Sequence, residues 1–473
     1  MKKFLVRFNR LEVIAFVSGF VLLVFELAGA RILAPGIGSS TYIWTSVIGV
    51  IIAALSVGYW LGGKVADSRG YMIDVARLTL LSALFIMVTI VQYESTIAWV
   101  AESFDDPRVQ GVIASLFLFA PASFVLGMIS PYLAKLNVKS LHTTGRSIAS
   151  LSALNSIGGI VGTFIAGFIL FGYIGSHETL ALTAVAMVAV SWLAAPGVEW
   201  KARLVVSIGI LAIISVPHVT ANAISIDTPS SRYTIYEQEG VRYLATGPHA
   251  AQSGVALFAQ DELVFWYARH MADIVALAPE KRNILVLGGG AFTLPRYLAE
   301  EYPNSVIDVV EIDPELADIS REHFYYDDPA NVNLIFADAR TYVNHAEKTY
   351  DIVLVDVYGD THVPFTLLTR EYGDALARIV KPHGIVAVNM IAGLDGPCRS
   401  LLGALDAPYR QHFSDTKFMV QFKDRQRTNM VATYSRDMNA WQAPTMPTID
   451  TPTYSDDFAP AERIQHACRS QQG

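Results

Sequence analysis

The stretch NILVLGGGAFTLPRYLAEEYPNSVIDVVEID, residues 283–313, decides how the rest of the chain is read. An apolar run, 284–287, ends in Gly288, Gly289 and Gly290. A helix-like segment follows, and a second apolar run, 306–310, ends in Glu311 and Asp313. This order predicts a β-α-β unit with a glycine turn at the mouth of the first strand. Glycines there let the backbone approach a ligand closely, and an acid about 20 residues on, at the tip of the second strand, can accept hydrogen bonds from ribose hydroxyls. The expected ligand contains a nucleoside, held by Gly288, Gly289, Gly290 and Glu311.

The chain has 473 residues, of which 52% are hydrophobic and only 16% charged. Its mean hydropathy is +0.37. These values point to a membrane protein, and the excess is confined to the part before residue 224. The expected domains are a helical multi-pass membrane domain at 1–223, a β-hairpin subdomain at 224–260, a nucleoside-binding α/β domain at 261–436, and a poorly ordered tail at 437–473 rich in Pro, Thr and Asp. The net charge of -8 argues against nucleic acid as a partner, and the lipid bilayer becomes the expected surroundings. Two cysteines, Cys398 and Cys468, make no zinc cluster, and no metal is expected; their pairing is left open. A homo-oligomer is allowed.

Seven segments approach bilayer length: 11–34, 42–63, 75–93, 110–134, 147–171, 178–195 and 204–221. The last is short and broken by Pro217. Gly158 and Gly162, four apart, would let another helix pack closely. Glu26 and Arg31 lie in the first segment, where charge is costly; pairing, or Arg31 reaching the interface, is expected. Lys2, Lys3, Arg7, Arg10, Lys64, Arg69, Arg77, Lys135, Lys139, Arg146, Lys201 and Arg203 fall in alternate loops, which puts the N-terminus in the cytoplasm. Seven crossings would leave the soluble part outside, whereas nucleoside cofactors are made in the cytosol. The side of the soluble part is open at this point.

In the soluble part, RYTIYEQEGVRYLATG predicts a hairpin turning at Glu239-Gly240. A helix with Tyr267 and His270 precedes the glycine turn. A third strand, 332–336, ends in Asp338-Ala339-Arg340; a fourth, 351–355, ends in Asp356; a fifth runs 384–390, and further strands are expected at 417–422 and 430–434. Strands alternating with helices predict a parallel sheet covered on both faces, with ligands at the carboxyl ends of the strands. Glu311, Asp338 and Asp356 all fall there. Asp338 is placed to accept from an adenine amino group. Asp356 and Asp360 suit a cationic amine: one carboxylate binds it and the other removes its proton, without which the amine cannot attack. Tyr267 is within the same group as a hydrogen-bond donor to the amine. His270 and His362 are read as structural or surface residues.

GGG before a helix, VVEIDP, DAR and YDIVLVDVYGD followed by Pro364 together resemble the spermidine synthase (polyamine aminopropyltransferase) family over residues 225–434. The stretches FELAGARILAP and GYWLGGKVAD resemble its multi-pass membrane branch. The resemblance implies a methyltransferase-like, Rossmann-type α/β fold after a small β subdomain. It implies transfer of an aminopropyl group from decarboxylated S-adenosylmethionine to a polyamine such as putrescine, at a cell (inner) membrane. It makes Glu311 the ribose ligand, Asp338 and Ala339 the adenine contacts and Pro364 a wall near the nucleoside. Asp356 becomes the proton acceptor, Asp360 an amine ligand and Tyr267 an active-site tyrosine. Four positions depart from the family pattern: Ala291 replaces the aspartate that grips the aminopropyl amine, Asp356 and Asp360 are one residue further apart than in DxxD, Tyr267 is followed by Ala268-Arg269-His270-Met271, and Ser231 replaces an upstream glutamine. Two other expectations stand beside this one: an S-adenosylmethionine-dependent methyltransferase on the same fold, and a non-catalytic polyamine- or nucleoside-binding sensor or transporter.

Overall fold

The computed structural model describes residues 9–469 apart from 39, 105, 139–143, 215–222, 229, 247–250, 358–362, 423–426, 437–443, 448 and 450. The chain forms two compact units, Met1–Thr220 with Asp227–Pro229, and Ala221–Ile226 with Ser230–Gly473.

The first unit is helical: α1 (Arg10–Ile37), α2 (Thr41–Ser68), α3 (Met72–Ser103), α4 (Pro107–Leu118), α5 (Ala120–Asn137), α6 (Thr144–Ile165), the short α7 (Phe171–Tyr173), α8 (Gly175–Ala194) and α9 (Trp200–Ile214). Asn9 starts α1 with a capping box, its own N–H donating to Glu12 at 2.8 Å, which satisfies donors the first turn leaves open. Among the described residues five helices are long and apolar enough to cross a bilayer, or six if α4 and α5, bent by 56°, make one broken span. The expected count of about seven is therefore not matched. Pro121, which lacks an N–H for the helical ladder, stands at the bend. The last segment, expected at 204–221, is helical only over the 15 residues of α9, about 22 Å of rise against a core of about 30 Å; its remainder lies outside the described residues.

Gly158 and Gly162 do meet another helix. A Cβ on Gly158 would stand 2.0 Å from the Phe16 carbonyl oxygen, and one on Gly162 2.6 Å from that of Phe20. Helices α1 and α6 thus touch backbone to backbone, which any side chain there would prevent. Arg31 lies over the Phe171 ring at 4.7 Å and donates to the carbonyl of Thr228.

The second unit opens with a four-stranded sheet in the order β1 (Ala223–Asp227), β2 (Arg232–Gln238), β3 (Val241–Ala245) and β4 (Ala251–Ala256). The β2–β3 turn falls at Glu239 and Gly240, both at positive φ (52° and 78°), the backbone a two-residue hairpin requires. A seven-stranded sheet follows, built from β5 (Asn283–Leu287), β6 (Val306–Glu311), β7 (Val332–Phe336), β8 (Tyr350–Val355), β9 (Val380–Ala392), β10 (Asp415–Val420) and β11 (Thr428–Ser435), in the order β10-β11-β9-β8-β5-β6-β7. The helices are α10 (Trp266–Leu277), α11 (Thr293–Glu301), α12 (Glu315–His323), α13 (Ala339–His345), α14 (Arg370–Ile379), α15 (Pro397–Arg410) and α16 (Ala461–Arg469). Period-two alternation splits the strands between two cores. Ile284, Val286, Ile352 and Leu354 pack with α10, α11 and α12, whereas Leu285, Leu287, Val353 and Val355 pack with α13, α14 and α15.

Two expectations are corrected. The sheet is parallel from β7 to β9, but β10 and β11 pair antiparallel with each other and β11 pairs antiparallel with β9, because the connection between Val420 and Thr428 is shorter than a parallel crossover of about a dozen or more residues. The tail is not left loose where it is described. Met446, Ala461, Ile464 and Cys468 are buried in the second core, Thr369 bridges to Tyr454, and Cys468 forms a disulfide with Cys398 on α15. Apolar residues spaced along α16 and one covalent link offset the tail's polar, proline-rich composition.

Candidate active site

Strand β5 is central, with β6 on one side and β8 on the other. Consecutive crossovers therefore leave in opposite directions at its carboxyl end, where a crevice opens and ligands bind in folds of this class. The glycine turn sits in that crevice. Gly288 has φ +94°, and a Cβ there would stand 2.1 Å from the Asp356 carbonyl oxygen, so only glycine lets the ends of β5 and β8 meet. Asp356 N–H donates to Leu287 O at 2.8 Å, and Gly288 N–H to Val310 O at 2.9 Å. The turn is thereby tied to both neighbouring strands.

Around it, Gly288, Gly289, Gly290, Tyr267, Asp356 and Ser253 line one cavity. Five of these six were expected site residues; Ser253, from β4, was not. Glu311 closes β6 and is buried. Its Oε2 accepts from Gly289 N–H at 2.8 Å, and its Oε1 from Ile312 N–H at 2.8 Å and Asp313 N–H at 3.1 Å. Burial raises its pKa, and those backbone donors pull the other way. Each carboxylate oxygen carries two lone pairs, so Oε2 retains one acceptor direction beside the glycine turn. Asp338 is exposed and caps α13, its Oδ1 accepting from Thr341 N–H at 2.8 Å, while Ala339 behind it is buried. Pro364 follows β8 and precedes a 3-10 turn, Phe365–Leu367. Asp360 and His362 lie outside the described residues.

Asp356 is the chemically distinctive group. Burial raises its carboxyl pKa above the ordinary aspartate value, against hydrogen bonds from Asn389 and Tyr267 that favour the charged form. Asn389 Nδ2 donates to Asp356 Oδ1 at 2.9 Å. Asn389 was missed in the sequence although it is a polar residue inside the apolar strand β9, 5% exposed. The Tyr267 hydroxyl lies 3.0 Å from the Gln252 carbonyl and also hydrogen-bonds to Asp356; burial and the Asp356 charge raise its pKa well above the usual tyrosine value. A hydroxyl has one proton and a carbonyl only accepts. When Asp356 is ionised, the proton can turn to its carboxylate; when Asp356 is protonated, Asp356 donates to Tyr267, which donates to Gln252. The pair can therefore take up a proton without stranding a buried polar atom. His270 is structural, with Nδ1 2.9 Å from Trp266 O and its ring 4.2 Å from that of Trp266.

Residues 264–390 match the family model described as the spermine/spermidine synthase domain. The chain is similar to the polyamine aminopropyltransferase of Vibrio vulnificus (strain CMCP6), 31% identical over 134 residues, which are 28% of this chain and 45% of that protein. It is also similar to putrescine N-methyltransferase 2 of Nicotiana tabacum, 34% identical over 116 residues, 23% of this chain and 32% of that protein. A solved structure, described as a probable spermidine synthase from Corynebacterium glutamicum ATCC 13032, is similar at a TM-score of 0.40 and 24% identity, covering 46% of this chain and 81% of that one. The chain thus spans less than half the length of the two named relatives. The similarity to the spermine/spermidine synthase family is thus carried by one domain, residues 264–390.

Proposed function

We propose that the protein is a membrane-anchored aminopropyltransferase, moving an aminopropyl group from decarboxylated S-adenosylmethionine to a polyamine such as putrescine. The observation that carries this is Asp356, a partly buried carboxylate of raised pKa at the switch point, hydrogen-bonded to Tyr267 and Asn389. In this reading Gly288, Gly289 and Gly290 pass beneath the nucleoside, Glu311 accepts from its ribose, Asp338 and Ala339 meet the adenine, and Pro364 walls it. Asp360 binds the amine. The amine gives a proton to Asp356, its lone pair attacks the aminopropyl carbon, and the C–S bond breaks. The sulfur keeps that electron pair and leaves as a neutral thioether, so no acid is needed on the leaving side.

Ala291, buried beside the glycine turn, favours a second reading. It offers no carboxylate to an aminopropyl ammonium, so the donor could instead be S-adenosylmethionine and the group a methyl. The test is to incubate the purified protein with putrescine and each labelled donor. Methylthioadenosine release supports the first reading, S-adenosylhomocysteine release supports the second, and neither product favours a binding role.

The reading includes a bilayer around the helical unit. Arg77 pairs with Glu199, and Lys135 with Asp67 at 3.0 Å, which groups the basic ends of α2, α3, α5 and α8 on one face, the cytoplasmic one by their charge. Arg31 with Thr228, and Gly175 with the Asp227 side chain, lie at the opposite ends of α1 and α8. The Cys398–Cys468 disulfide in the second unit favours an oxidising compartment for that unit. A donor made in the cytosol must then be carried across. Reporter fusions at Gly473 and within 139–143 test this: opposite sides are expected, and the same side would overturn it.

One variant tests the nucleoside half. Glu311→Gln sets an NH2 donor against backbone N–H donors, an unsatisfied buried pairing worth about 1–3 kcal/mol. Nucleoside affinity measured by calorimetry should fall about tenfold to a hundredfold.

A further inference from the structure

Strands β7 and β8 run parallel to β5 and β6 and so end at the same edge of the sheet, and the segment that follows each is bonded by the C-terminal strap, residues 454–469. Beyond β7, Arg340 follows Ala339. Its Nη2 donates to Asp456 Oδ2 at 2.7 Å, and its Nη1 to Thr366 O and Thr369 Oγ1, both at 2.8 Å. Asp456 Oδ1 accepts in turn from Thr369 Oγ1 at 2.7 Å. Arg340 is 9% exposed, so a buried guanidinium is neutralised by a residue 116 positions away in sequence. Beyond β8, Gln465 on α16 donates from Nε2 to Val363 O at 3.0 Å, and both residues are buried. That oxygen belongs to the peptide joining Val363 to Pro364. Proline has no N–H with which to anchor itself, so Gln465 fixes the orientation of the peptide that carries the ring.

We propose that this strap is a working part of the nucleoside site, with Asp456 and Gln465 as positioning residues that set Ala339 and Pro364 against the adenosyl group. The Cys398–Cys468 disulfide is its latch, since Cys468 stands three residues after Gln465 on one helix face. The inference rests on reading Ala339 and Pro364 as nucleoside walls. A tail that served stability alone would need only its apolar contacts with α15; these two polar side chains bond instead to Arg340 and Thr369 and to the Val363 carbonyl, next to Ala339 and Pro364 in the chain.

The test uses the full chain in detergent, with 5′-methylthioadenosine as nucleoside probe and putrescine as amine. Gln465→Met removes one neutral hydrogen bond and should weaken nucleoside binding about fivefold; Asp456→Asn removes a charged acceptor and should weaken it about tenfold or more. The amine KM should stay unchanged, and Asp456→Glu, which keeps the carboxylate, should recover most of the loss. Folded variants that bind the nucleoside as the wild type does would overturn the proposal, as would an equal rise in both constants. Should Gln465→Met fail to fold, Asp456→Asn still decides, because Asp456 is half exposed. A wild-type protein that binds no nucleoside would overturn the functional reading first, a distinct result.

Discussion

Asp356→Asn is expected to lower turnover about a thousandfold, within the range for loss of a positioned general base, and to raise the thermal midpoint of the second unit at neutral pH. Both effects have one cause. The carboxyl sits where burial raises its pKa above the ordinary aspartate value, so the folded state holds its proton at pH values where the unfolded chain has released it. Stability from this group is fully present below the unfolded pKa and is lost as pH rises through the folded pKa. Above the unfolded pKa the carboxyl therefore costs stability, and the neutral amide removes that cost while keeping an acceptor for Asn389 and a partner for Tyr267. The base form is the working one, so the acid limb of the wild-type rate profile should lie above the ordinary aspartate range. Steady-state rates across pH, with thermal unfolding of both proteins, check this. Unchanged turnover in Asp356→Asn would remove both enzymatic readings.

What the sequence made legible was local. The glycine turn, Glu311 and Asp356 could be read because each lies at the end of an apolar run, and a strand's carboxyl end is a fixed place in a parallel α/β fold. Contacts between distant segments could not be read that way. Asn389 looks like an interruption in β9 until the sheet order sets that strand beside β8. Gln252 contributes only its carbonyl, which no residue type signals. The antiparallel edge depends on how β10 and β11 connect rather than on their composition, and the period-two pattern is the same for either direction. The tail was misread for the opposite reason: its composition is that of a disordered segment, but composition does not count a disulfide, a buried arginine seeking a carboxylate, or the apolar face of α16. The resemblance supplied roles for Ala339 and Pro364 that their own chemistry does not announce.

Replacing Cys398 and Cys468 together by serine is expected to destabilise the second unit by about 4 kcal/mol. The two are 70 residues apart, and the chain entropy released on opening a loop of that length corresponds to about 4 kcal/mol at 25 °C. For a unit of this size the midpoint should fall by about 8–16 °C. Both cysteines are 1% exposed, so serine also leaves two hydroxyls in an apolar core and adds to the loss rather than offsetting it. Reductant added to the wild type should give a shift in the same direction with no residue changed, which separates the covalent link from the buried hydroxyls. Below the lowered midpoint the variant should still fold, because Ala461 and Ile464 pack against α15 without the bond. A midpoint moved by less than about 2 °C would mean that this packing alone holds the strap, and the latch would then be a consequence of the fold rather than one of its supports. A full shift, with nucleoside affinity lost in step as the strap opens, would tie the order of the tail to the order of the site.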